Sequence, residues 1–327
     1  MADTKPSLEQ LMDQLRLAQQ SGDPLREGIA LNNLGGYYKD RRETAKAVEH
    51  LKKALEYFSI LQDFDKKAAV LNYLGATYHD AEQYGKALEY FALALGTYGT
   101  LGQTMGQGTA VNNLGGAHLA LKRYDDARKQ FNLAASLFRA AQATIAEAQA
   151  LENLAAAELA LSNRKAALES YGRALELWQR LDQIDRQSMV LNRVASLHAD
   201  SGDVARALDL HKRALALVKK SGNISLEART YASLGRVYFE SSNWQEAQGN
   251  FEEAGRLFEK CGDKKGRASM LLGLGKLHSA LAQELLRAAA AAYKEIGDTA
   301  GEAAALELLQ PSSEETPLHN GAAQKRA

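Results

Sequence analysis

The chain has 327 residues, 40 basic against 40 acidic side chains, 46% hydrophobic residues and one cysteine. A net charge of zero offers no general field for nucleic acid or an anionic membrane, so binding of either would need a local patch. Cys261 alone forms no intramolecular disulfide, no uncharged apolar run is long enough to span a bilayer, and Met1 to Gln10 carry charges where a secretory signal is apolar. The sequence therefore reads as a soluble, cytoplasmic protein.

Residues 1–6 read as a disordered N-terminus. Leu8, Leu11, Met12, Leu15 and Leu17 then recur at mostly helical intervals and predict an amphipathic helix. Gly22 suits the left-handed position after that helix, Asp23 caps the next one, and Pro24 fits its first turn. Residues 7–22 are thus half of a unit, placed where a cap belongs.

From here one motif returns every 40 residues. Leu31-Asn32-Asn33-Leu34-Gly35 comes back as Leu71-Asn72-Tyr73-Leu74-Gly75 and Val111-Asn112-Asn113-Leu114-Gly115. Weaker copies start at Leu151, Leu191, Tyr231 and Leu271. Such a period predicts a solenoid, in which each unit buries its apolar face only against its neighbours. Each unit reads helix A, a short polar turn, helix B. Helix B carries two alanine columns (Ala47 and Ala54, with their counterparts in later units) around a column of Leu51, Phe91, Phe131, Tyr171, His211 and Phe251. Small residues flanking a large one let helices approach to about 8–10 Å. Gly35-Gly36 and Gly115-Gly116 are expected to serve the same close approach. Six full repeats cover about 23–262, and 263–309 form a degenerate capping repeat. There the residues of the A–B turn are missing and no breaker replaces them, so helices A and B are expected to fuse. Pro311 is expected to stop a last short helix, and 310–327 read as a disordered tail.

Little in the chain suggests chemistry. His118, His198 and His278 share one column, but they lie two repeats apart, several helix-packing distances of about 8–10 Å. Zinc holds its ligands at about 2.1 Å, so the three read as packing residues. Cys261, aligned with Leu61 and Leu181, reads as a buried small hydrophobe. No nucleophile motif, phosphate loop, cofactor site or metal set is apparent, and a non-catalytic protein is expected.

The grid of Leu71, Leu74-Gly75, Tyr78, Ala87, Phe91 and Ala94 resembles the tetratricopeptide repeat. The period of 40 rather than 34, without the usual proline, is similar to the long-repeat kinds in kinesin light chains and Pins-type spindle-orientation adaptors. The resemblance implies an all-α, right-handed superhelical solenoid of antiparallel helical hairpins. It also places Asn32, Asn72, Asn112 and Asn192, and beside them Asn33, Asn113 and Asn153, on a concave groove. Asparagine is a poor helix-interior residue, so local helix stability does not explain seven of them. An amide donates and accepts at once, which matches the backbone of an extended peptide. Alternatively, the asparagines bond neighbouring helices and fix the stack. Arg193, Arg229 and Arg236 either bind acidic residues at one end of such a peptide or are solvated. The function implied is a protein-interaction adaptor for an extended peptide or partner segment. A peptide-responsive sensor and a self-associating scaffold are the alternatives.

Overall fold

A computed structural model describes residues 6–295 and 297–309. The expected disordered segments at 1–5 and 310–327, with Pro311, lie outside the described residues. The chain divides into two compact units, Met1–Leu197 and His198–Ala327. Among the described residues every regular element is an α-helix, and sequence neighbours pack as antiparallel hairpins.

The first unit holds α1 (Leu8–Ser21), α2 (Pro24–Asp40), α3 (Thr44–Ile60), α4 (Phe64–Asp80) and α5 (Tyr84–Thr100). It continues with α6 (Thr104–Ala120), α7 (Tyr124–Ala140), α8 (Thr144–Ala160), α9 (Arg164–Arg180) and most of α10 (Ile184–Ala199). The helix ends follow from local chemistry. Ser7 and Gln10 close a reciprocal capping box on α1, Gly22 is left-handed at φ 62°, and the Asp23 carboxylate accepts from the Leu25 and Arg26 amides ahead of Pro24.

The turns carry a shorter period than the sequence motif. A left-handed residue stands every 20 positions from Gly22 to Gly262, in A-to-B and B-to-A turns alike, and in eight of them it is not glycine (Arg42, Gln62 and Ser242 among them). All but those at Gly22 and Gly222 close the same way: the Glu43 amide donates to the Tyr38 carbonyl at 3.0 Å, and Asp63 to Phe58 at 3.0 Å.

Within each hairpin the motif glycine faces the large residue of helix B. A Cβ on Gly35 would stand 2.5 Å from Leu51, on Gly75 2.5 Å from Phe91, and on Gly115 2.7 Å from Phe131. These three side chains and the alanine columns are buried, and each large one contributes about 1.5–3 kcal/mol by leaving water. Gly36 and Gly116 depart from expectation. Nothing lies within 4 Å of a Cβ on Gly36, and at Gly116 only the His79 ring, at 3.9 Å, comes near. One residue round the helix from the packed glycine, they face away from helix B and leave the A-helix surface bare.

The second unit holds the end of α10, then α11 (Val204–Ser221), α12 (Ile224–Glu240), α13 (Trp244–Lys260), α14 (Lys264–Glu295) and α15 (Thr299–Leu309). Its core joins Leu234, Tyr238, Phe251, Phe258, Met270 and Leu277. Helix α14 runs 32 residues without a turn, the fusion that the lost turn residues predicted. The motif's packing role persists only in part into this seventh copy: Leu274 still packs against this core, whereas nothing lies within 4 Å of a Cβ on Gly275. Leu271 and Leu272 are 61% and 62% exposed, while Met270 and Leu277 take the buried places. With no helix B folding back, His278 and Ala282 are exposed as well, so His278 is not a packing residue. Cys261 is also exposed, against expectation. It caps α13 at the rim of the stack, a column where Leu61 is itself 38% exposed.

Candidate functional site

The asparagines lie on α2, α4, α6, α8 and α10, all within the first unit. Two pairs are joined directly across neighbouring A helices. Asn113 Nδ2 donates to Asn72 Oδ1 at 2.9 Å, and Asn153 Nδ2 donates to Asn112 Oδ1 at 3.1 Å. Each pair is 41 residues apart, one repeat plus one residue, because the two asparagine columns sit side by side on the helix. The same offset recurs where the asparagines have been replaced. Arg193 stands 3.9 Å from Glu152, and about two turns further along α2 Lys39 pairs with Asp80 at 2.8 Å. From α4 to α10 neighbouring A helices are thus joined by one such rung per interface.

Each rung uses one amide hydrogen and one carbonyl oxygen. In the Asn72–Asn113 pair, Asn72 Nδ2 and Asn113 Oδ1 stay outside the bond, and both residues are part-exposed. The pairing fixes where those two atoms point. Half of each amide thus joins neighbouring helices, and the other half stays outside that bond.

The first interface breaks the pattern. Tyr73 occupies the rung position, and Asn32 Oδ1 is buried with no hydrogen-bond partner. Asn33, one residue on, is exposed. The fourth A helix carries Glu152 in place of asparagine. Its carboxylate is buried and accepts from Trp178 Nε1 at 2.9 Å, while Gln187 Nε2 donates to the Trp178 carbonyl at 3.2 Å. Neither arrangement was foreseen. The paired substitution of Glu152 in helix A and Trp178, in the column of Phe58 and Phe138, was the available signal.

Asn192 is part-exposed and Arg193 exposed on α10. Arg229 and Arg236 belong to the second unit, where both are exposed on α12. Arg236 lines a recess with Ser233, Met270, Leu272 and Lys276. Its charge adds to burial in holding the fully buried His211 neutral, with a pKa lowered to about 4. His118, from the helix A histidine column, is also pushed down by burial. Among the described residues no cluster of histidine, cysteine or carboxylate side chains could hold a metal ion, and no helix is long and apolar enough to cross a membrane.

A family model for the tetratricopeptide repeat matches residues 26–100, 146–220 and 186–260, more than half of the chain. The chain belongs to the tetratricopeptide repeat family. Among solved structures, it is similar to the apo form of RapI, with a TM-score of 0.65 and 15% identity over 92% of this chain and 79% of that one. A Rap protein complexed with competence and sporulation factor gives 0.54 and 14%, over 86% and 82%. The putative kinesin light chain repeats of Podosopora anserina give 0.51 and 15%, over 59% of this chain and 95% of that one. No curated protein matches the chain. At these identities the structural likenesses establish the fold, a helical solenoid of tetratricopeptide-repeat hairpins.

Proposed function

We propose that this tetratricopeptide repeat chain is a non-catalytic adaptor, working in the cytoplasm, that binds an extended peptide or partner segment along the A helices of its first unit. The observation that carries this reading is the paired amides. Each rung leaves the NH2 group of one amide and the carbonyl of the other outside its hydrogen bond, and an extended backbone offers the complementary acceptors and donors with little regard to its side chains. Because the rung already holds both side chains, less rotamer freedom is lost on binding. Asn32, Asn33, Asn72, Asn112, Asn113, Asn153 and Asn192 form the gripping surface in this reading. Bare Gly36 and Gly116 leave room for the ligand's main chain. Arg193 at the end of the first unit, and Arg229 and Arg236 on the second, suit acidic ligand residues.

The test is a displayed library of extended dodecapeptides selected on the full chain, with affinities remeasured on the Asn112→Ala, Asn113→Ala double variant. Loss of at least about tenfold in affinity at unchanged far-UV circular dichroism is expected, as for removal of one or two backbone hydrogen bonds. Unchanged affinity sinks the proposal. A second reading, a peptide-responsive sensor, is favoured by the likeness to a Rap protein solved with competence and sporulation factor. It alone predicts that the selected peptide changes the radius of gyration in small-angle scattering. A self-associating scaffold instead predicts peptide-indifferent sedimentation and an altered oligomer size in the double variant.

A further inference from the structure

The missing rung at the first interface points to a specific ligand group. Asn72 and Asn112 each receive a carboxamide N–H from the asparagine one repeat and one residue ahead. Asn32 stands in the same column, but the residue ahead of it is Tyr73, which has no donor near its Cβ. The Asn32 carbonyl is consequently buried and unpaired. A buried acceptor left in this state is destabilising, and one kept in a native chain calls for a partner from outside it. Asn32 also lines a cavity of about 270 Å³, walled by Leu11, Asn33, Gly36, Tyr37 and Tyr73 with Pro6 at its edge. At about 30 Å³ for each water, that is room for a side chain of several heavy atoms.

We propose that this cavity is a carboxamide subsite, which takes a glutamine or asparagine side chain of the bound segment as the missing rung. It deepens the adaptor reading and rests on it. The ligand N–H donates to Asn32 Oδ1, as Asn113 and Asn153 do to their own partners. The ligand carbonyl is left for the exposed Asn33 amide. Tyr73 is 45% exposed, so its ring has space to swing aside and admit the group to Asn32, and the Tyr37 and Tyr73 rings cover the methylenes. An ammonium group is the wrong donor here. Among the described residues no carboxylate lines the cavity, and the Arg41 guanidinium already stacks on the Tyr37 ring at 3.8 Å from its centroid.

The matched probes are propionamide, which copies the end of glutamine, and butan-2-one, which has the same shape without the N–H. Both are titrated into the ¹⁵N-labelled full chain while the side-chain amide resonances of Asn32 and Asn33 are followed by NMR. Propionamide is expected to shift both saturably and to bind about tenfold tighter than butan-2-one, the worth of one hydrogen bond to an otherwise unpaired acceptor. Tyr73→Asn, which supplies the rung from within the chain, is expected to abolish saturable binding. Asn32→Leu is expected to make the two probes equivalent. Equal affinities on the native chain, no saturable shift by propionamide, or undiminished binding in folded Tyr73→Asn would each overturn the subsite. Asn112 and Asn113 lie outside the cavity, so the outcomes separate. If the adaptor reading alone fails, propionamide still binds while peptides ignore the Asn112, Asn113 double variant. If only the subsite fails, peptides still lose affinity in that variant and the two probes bind alike.

Discussion

Replacing both members of the Asn72–Asn113 rung by alanine separates what the asparagines do for the stack from what they present. The rung is one neutral hydrogen bond at 2.9 Å between part-exposed amides, worth roughly 0.5–1.5 kcal/mol net. Alanine gains roughly 0.6 kcal/mol over asparagine in a helix interior. Asn113→Ala alone loses the bond and recovers one propensity increment, for a net loss of about 0.4 kcal/mol. The double variant loses the same bond and recovers two, about 1.2 kcal/mol. It is therefore expected to be as stable as the native chain, with a coupling of about 1 kcal/mol between the sites in a double-mutant cycle. A solenoid opens locally, so the assay is native-state hydrogen exchange on the amides of α4 and α6, supported by urea unfolding. A loss above about 2 kcal/mol in the double variant refutes the reasoning. The amides would then be structural keystones, and the argument that asparagine is kept for a ligand would lose its footing.

Three further perturbations test the packing. Gly35→Ala pushes a methyl to 2.5 Å from Leu51 and is expected to cost about 1–3 kcal/mol, whereas Gly36→Ala meets nothing and is expected to stabilise by up to about 1 kcal/mol, both read from urea midpoints. Gln62→Gly and Ser242→Gly, at φ 56° and 59°, relieve left-handed strain, and each is expected to raise stability by about 0.5–1 kcal/mol in thermal melts. His211 is held neutral in the fold with its pKa lowered to about 4 from 6.5, so the unfolded chain binds the extra proton first. Its contribution is fully present above about pH 6.5 and is lost as pH falls towards 4. His211→Leu, the residue of the first repeat in that column, is expected to flatten the pH dependence of unfolding between those limits.

The period and the helix columns were legible because burial in a solenoid repeats in register: Gly35, Gly75 and Gly115 each meet the same helix B position, Leu51, Phe91 or Phe131. Contacts that cross the register were not. The rungs join residues 41 apart, an offset set by how adjacent helices lean, and a residue list in 40-residue columns hides it. The glycine pair shows the same limit. Gly35 and Gly36 are alike in sequence, and only the direction of helix B makes one a contact and the other an opening. Where the repeat loses its turn, column reasoning failed outright for Leu271, His278 and Ala282. A column assigns burial only if helix B folds back on its own helix A, and in α14 the two are one continuous helix.

The extent of the ladder follows the division of the chain. Asn192 is its last asparagine, and the first unit ends at Leu197. In the corresponding places of α12 stand Ala232 and Ser233, which have no amide, and the nearby recess is lined instead by Arg236 and Lys276. An amide pair reads main chain and is indifferent to charge, while an arginine beside a lysine reads acidic side chains. In the first unit the only arginine of the candidate set, Arg193, already leans on buried Glu152 at 3.9 Å, which discounts its charge. In the adaptor reading the two units divide the recognition chemistry. The first is suited to hold an extended backbone of any net charge, and the second to favour ligands with acidic residues. A ligand series that varies acidic content at constant length is expected to show salt-dependent affinity only through Arg229 and Arg236. Asn112→Ala with Asn113→Ala is expected to lower affinity equally across the series. Salt dependence that vanishes in the asparagine variant instead would show that the amides and the charges do not act separately.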